Sequence, residues 1–255
     1  MKVEMKTWGA LGLATVLVGA GLAGCGGEAG EGGEAAQVGE AGSAGEGGEA
    51  GEGGEGGEGG EAGALPVEQR LVFMAGHVEA GLALYRAGEN EAAAPHLLHP
   101  VSETHADERA GLDALGFDPA PFEEVSAALE AGRPASEVEP QLAAAEANLE
   151  TMREAAGGDP AAQIRFLMDT ASEEYAIAVT DGAITDPAEY QDAWGFVTVA
   201  RRIADDLDAP GAASVRETLD QMLGLWREDG PFPKGEPAPA GQVSALASRV
   251  QLDLP

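Results

Sequence analysis

The sequence predicts an all-α protein, and three observations carry that expectation. From Leu65 onward, apolar residues recur at three- and four-residue intervals. Helix start and stop signals punctuate these runs, with Asp-Pro pairs ahead of several and Gly after several. No stretch alternates apolar and polar residues in the way a half-buried strand requires. Short connections imply antiparallel neighbours. The expected architecture is therefore an antiparallel up-and-down helical bundle after a disordered linker, with two packed helical-hairpin units as a variant.

The elements follow in order. The first helix opens at Pro66, carries Leu71, Met74, Val78, Leu82 and Tyr85 on one stripe, and ends at Gly88. Gly76 and Gly81 stand inside it; each costs ~1 kcal/mol relative to Ala and so calls for a packing or site reason. Asn90 caps a second helix, Ala92 to His99, which Pro100 breaks or kinks. Ser102 offers a cap for a helix reaching Leu115. Asp118-Pro119 starts a helix that ends near Gly132. Ser136 with Glu139 reads as a capping box for a long helix to Glu154, stopped by Gly157-Gly158.

Asp159-Pro160 starts the next helix, with Ile164, Leu167, Met168, Ala171, Tyr175 and Val179 inward. Asp181-Gly182 turns the chain. Asp186-Pro187 with Glu189 starts a helix burying Tyr190, Ala193, Val197, Ala200, Ile203 and Leu207. A further helix runs from Ala212 to Arg227. Pro231, Pro233, Pro237 and Pro239 then form a stiff linker to a short helix at Gln242–Val250. This reading divides the folded part into a bundle at 65–230 and a Pro-rich linker with a C-terminal helix at 231–255.

Two segments precede the bundle. Lys2 and Lys6 lead an apolar run from Trp8 to Ala23, followed by Leu22-Ala23-Gly24-Cys25. The order of charge, apolar run, small residues and Cys over residues 1–25 resembles a bacterial lipoprotein signal peptide with its lipobox. The run is shorter than the ~20 residues of a membrane-spanning helix. The resemblance implies that Cys25 is lipidated and becomes the mature N-terminus. Each buried methylene of an acyl chain then adds ~0.8 kcal/mol of anchoring. Gly26 rather than Asp follows the Cys, so the expected location is the outer membrane, with the domain facing the periplasm. Residues 26–64 are built from Gly, Glu and Ala, with Glu at every third position from Glu46 to Glu61. Such a tract buries no apolar surface and is expected to be a disordered spacer with an r.m.s. span of ~35 Å.

The formal net charge of -31 argues against nucleic acid and against an electrostatic grip on anionic lipid. It suits cationic partners, metal ions or a high-salt habitat. A single cysteine allows no intrachain disulfide.

Potential metal ligands concentrate between Gly76 and Asp107, where all 4 histidines lie: His77, His96, His99 and His105. His96 and His99 are three apart and share a helix face. Glu103 continues that face only if the helix passes Pro100. His77 sits on the neighbouring helix. His105 is expected to be exposed. Glu174 follows Leu167 and Ala171 on an apolar stripe and is either a buried carboxylate ligand or a boundary residue. The candidate ligands are thus His77, His96, His99, Glu103 and Glu174, lying between two neighbouring helices with the Glu174 helix closing the site. Imidazole and carboxylate together suit iron, zinc, copper or nickel, and bundle cores commonly host such sites. The competing reading of His77 is a hydrogen-bonded core histidine.

The chain has no paired Glu-x-x-His of a di-iron bundle, no Cys-x-x-Cys-His haem attachment, no Gly-x-Ser-x-Gly and no His-Glu-x-x-His. The expectation is a binding protein, not an enzyme.

Tyr175, Ala178, Val179, Asp181, Gly182, Ile184, Glu189 and Tyr190 carry a second likeness. This stretch resembles the extracytoplasmic helical region of bacterial high-affinity iron permeases. The resemblance implies an envelope setting linked to iron handling. It does not bring the permease's own chemistry, which uses Arg-Glu-x-x-Glu in membrane helices; Arg216-Glu217-Thr218-Leu219-Asp220 is a near miss on an amphipathic segment. A plain helical hairpin would also favour most of the matching residues. The functional expectation is a lipid-anchored module that binds or hands over iron or another transition metal, with an envelope iron-uptake protein as partner. The alternatives are a metal-free structural or protein-interaction lipoprotein and, more remotely, a metal-dependent hydrolase.

Overall fold

The computed structural model describes residues 65–98, 111–226 and 230–255. The expected lipobox with Cys25, the Gly/Glu tract, His99, Pro100, Ser102, Glu103 and His105 lie outside the described residues.

The protein is all-α. The first four described helices are α1 (Val67–Arg86), α2 (Asn90–Leu98), α3 (Ala120–Glu130) and α4 (Glu139–Ala156). The second four are α5 (Pro160–Ala178), α6 (Pro187–Ile203), α7 (Ala212–Leu223) and α8 (Ala240–Asp253). No described helix is long and apolar enough to cross a membrane.

Asp-Pro pairs start helices where the sequence places them. The Asp159 carboxylate accepts from the Ala161 amide at the head of α5. At the head of α6 the Asp186 carboxylate accepts from the amides of Ala188 and Glu189, satisfying two donors that a helix start leaves open. The Ser136–Glu139 capping box does not form. Ser136 lies in a 3₁₀ turn, Ala135–Glu137, and α4 begins at Glu139 with Val138 as its uncapped flank. Pro140 explains this, because its fixed φ suits the first turn of a helix and starts α4 there.

The helix expected to reach Leu115 is not helical at its described end. Gly111 has φ 87° and leads into a 3₁₀ turn, Leu112–Leu115. Between α5 and α6 the Asp181-Gly182 turn closes a two-residue antiparallel ladder, Val179–Thr180 (β1) with Ala183–Ile184 (β2). Both turn residues have positive φ, 53° and 77°, as a tight hairpin of matching twist requires.

Two cores run side by side. One gathers Leu71, Met74, Val78 and Leu82 of α1 with Leu97, Phe122, Leu142 and Met152. The other gathers α5 to α8, including Ile164, Met168, Phe196, Val215, Leu219, Trp226 and Val243. Helix α1 belongs to both, since Val72 and Phe73 face the second core. Val243, Ala247, Val250 and Leu254 are also buried in that core, so α8 packs as an integral fourth helix beyond the expected boundary at 231.

The close approach of α1 to α6 is a glycine contact. A Cβ on Gly76 would overlap the Phe196 ring, and one on Gly195 would overlap the Gly76 carbonyl. Gly81 plays the same part for α2: a Cβ there would stand 2.7 Å from Leu97 Cγ and 3.0 Å from His96 Cβ. The two glycines that look costly inside the first helix are thus the places where α6 and α2 lean on it.

Candidate metal centre

Those contacts bring three buried polar side chains together. His77 comes from α1, one residue after Gly76. His96 comes from α2, seated against Gly81. Asp192 comes from α6, nearly one turn before Gly195. Their side chains are 1%, 0% and 2% exposed, so all three are withdrawn from bulk water.

Asp192 Oδ1 lies 2.8 Å from His77 Nδ1 and 2.8 Å from His96 Nδ1. On the far edge of its ring, His96 Nε2 sits 2.8 Å from Gln191 Oε1. Aromatic rings wall the centre: Phe73 meets His77 edge-on at 4.6 Å, and Phe196 does so at 5.1 Å.

The electrostatics follow from burial set against close opposite charge. Burial disfavours the charged form of Asp192, but His77 and His96 beside it outweigh that and hold its carboxyl well below the usual carboxylate range. Burial likewise disfavours a charged His96. The Asp192 charge and the hydrogen bonds to Asp192 and Gln191 outweigh it, so the His96 pKa is raised despite the opposing influence of His77. The centre therefore sets two imidazoles against an ionised carboxylate inside an apolar wall.

The donor chemistry fits a metal ion. Two imidazole nitrogens and one carboxylate oxygen all lie within 4.8 Å of one another. Ligands at right angles around an ion with bonds of about 2.1 Å stand about 3 Å apart, so the Asp192–histidine spacings are close to coordination spacing. A two-histidine, one-carboxylate set suits ferrous iron and other divalent first-row ions.

Of the residues expected from sequence, His77 and His96 meet. Glu174 is buried on α5 but stands outside this trio. His99 and Glu103 fall outside the described residues. Asp192 and Gln191 were not anticipated, although Asp192 did leave a signal. It occupies the stripe of α6 that continues through Phe196, Val199 and Ile203, all buried. A carboxylate at that spacing among apolar residues must find a buried partner.

Residues 158–254 match a family model described as the iron permease-associated 4-helix bundle domain. The match begins just ahead of α5 and spans α5 to α8, the helices of the second core. No curated protein and no solved structure matches the chain. The second half of the chain is thus similar to a helical region associated with iron permeases. Asp192 and Gln191 lie within the matched segment, and His77 and His96 lie outside it.

Proposed function

We propose that the chain is a lipid-anchored extracytoplasmic protein that binds iron or another transition metal at His77, His96 and Asp192. The convergence of these donors in one buried cluster carries the reading. The likeness of the second half to an iron permease-associated bundle favours iron among the candidates. In this reading the ion is cargo or a stored ion rather than a catalytic centre, and the partner is an envelope iron-uptake protein. The anchor is Cys25, the membrane is the outer one, and the domain faces the periplasm.

Two neutral imidazoles and one carboxylate leave a divalent ion with one net positive charge. A trivalent ion would retain two inside an apolar wall, which costs more. The divalent state is therefore the one this centre favours.

The test is anaerobic titration of the metal-depleted folded domain with ferrous, zinc and cobalt ions. Equimolar binding that is lost in His96→Ala and Asp192→Asn supports the reading. Failure of all three ions to bind sinks it. Fatty-acid labelling that persists in Cys25→Ser would sink the anchor.

A second reading draws on the 2.8 Å spacings, which are also hydrogen-bond distances. Here the trio is a proton-filled polar clasp between the two cores, and the protein is a structural or protein-binding lipoprotein. The same titration separates the two, because a clasp takes up no metal.

A further inference from the structure

Gln191 has no place among the three donors, yet it touches one of them. Its side chain is 3% exposed and meets His96 Nε2 at 2.8 Å through its carbonyl oxygen. A carbonyl oxygen only accepts, so the hydrogen in that bond belongs to His96 Nε2. His96 Nδ1 faces the ionised Asp192 carboxylate at 2.8 Å, so in the metal-free protein it carries a hydrogen toward Asp192, and it gains a lone pair for an ion only when that hydrogen leaves.

We infer that Gln191 is the positioning residue of the metal centre: it accepts the hydrogen bond from His96 Nε2, so that Nδ1 is the atom an ion takes up in place of its hydrogen. The inference rests on the metal-binding reading for its purpose, but the hydrogen bond from His96 Nε2 to Gln191 can be observed without metal.

The fold supports this assignment. Gln191 and Asp192 are consecutive on α6, so one turn of one helix supplies both the acceptor behind His96 and the carboxylate in front of it. Gly81 allows His96 to sit close to α1, which leaves the imidazole little room to swing away from either partner. A ligating histidine whose second nitrogen donates to a fixed acceptor is held in tautomer and in ring plane, and its ligating nitrogen becomes more basic. Loss of such a partner commonly weakens metal binding by about 10–100-fold. Leucine at 191 fills similar space and accepts nothing. Glutamate retains an acceptor at the same reach.

The experiment combines two readouts. Histidine-ring ¹⁵N–¹H correlation spectra of wild type are expected to show a hydrogen on His96 Nε2 without metal, and to keep it there, with none on Nδ1, once zinc is bound. Zinc and cobalt titrations are expected to show Gln191→Leu binding about 10–100-fold more weakly than wild type, with Gln191→Glu restoring affinity. Thermal melting confirms that both variants fold.

A hydrogen on Nδ1 with a bare Nε2 overturns the inference. So does Gln191→Leu binding metal as tightly as wild type. If wild type shows the Nε2 hydrogen but binds no metal, the metal reading fails and the hydrogen bond by which Gln191 holds the His96 ring stands.

Discussion

The α-hydrogen face of Gly195 lies directly against the backbone carbonyl of Gly76, leaving no room for a side chain between α6 and α1. This contact decides how near Asp192 comes to His77, because each glycine sits within one helical turn of one of them. Alanine at 195 would gain ~1 kcal/mol in helix propensity, but it would meet a carbonyl that cannot swing aside. Overpacking of this kind costs about 1–3 kcal/mol, so the steric effect wins. Gly195→Ala is expected to lower the urea midpoint without changing the slope of the transition and, if the proposed metal reading holds, to weaken metal binding. An unchanged midpoint would show that the two helices have slack that the geometry denies them.

The head of α6 makes a second, independent test. Asp186 accepts from the amides of both Ala188 and Glu189. Capping residues of this type contribute about 1 kcal/mol over alanine. Asp186→Ala is expected to destabilise by roughly that amount in chemical denaturation. Asp186→Asn keeps an acceptor and is expected to stay within a few tenths of wild type.

Tyr175 sets the alkaline limit of the second core. Burial first, and the neighbouring Tyr190 second, push its phenol well above the usual tyrosine range, while its hydroxyl donates to the Ala238 carbonyl. The folded pKa is raised above the unfolded value of about 10, so the stability it contributes is fully present below pH ~10. That stability is lost as pH rises from there through the folded pKa, because only the unfolded chain ionises readily. Unfolding free energy is therefore expected to fall above pH ~10, and Tyr175→Phe should fall less steeply there. At neutral pH the same variant lacks one hydrogen bond and is expected to be about 1 kcal/mol less stable. Parallel alkaline limbs for the two proteins would refute this account of Tyr175.

Most of the fold was legible because its signals are local. Asp159-Pro160 and Asp186-Pro187 each specify a helix start within three residues, and both starts form as read. The Ser136–Glu139 capping box failed because a second local signal, Pro140, competes for the same turn and wins. The site was half legible. His77 and His96 are two of only 4 histidines and invite attention. Asp192 is one of 45 acidic residues and does not. What distinguishes it is placement on a buried stripe, and the partner that makes that placement tolerable arrives from a helix nearly a hundred residues earlier. Glu174 shows the reverse: it also lies on an apolar stripe and is buried, yet it is not one of the three donors that gather among the described residues. A stripe position predicts burial, and only the packing of helices decides which buried groups meet.

Asp192→Asn separates a stabilising role of the centre from the metal role proposed for it. In the metal-free protein, the change leaves His77 and His96 buried around a group that can no longer balance a positive charge. Breaking a buried charge pair by removing one partner costs about 3–5 kcal/mol, so the metal-free variant should unfold well before wild type. Metal adds a second effect with a different signature. An ion at a hundred times its dissociation constant stabilises wild type by about 2.7 kcal/mol, through mass action on the folded state alone. Chelation should remove that increment from wild type and leave Asp192→Asn unchanged, since the variant lacks the anionic donor. Comparing the two proteins with and without chelator gives four melting curves. A chelator-sensitive variant would place the ion elsewhere in the protein. A wild type insensitive to chelator, paired with a strongly destabilised variant, would mean that Asp192 serves the two cores as a clasp and nothing more.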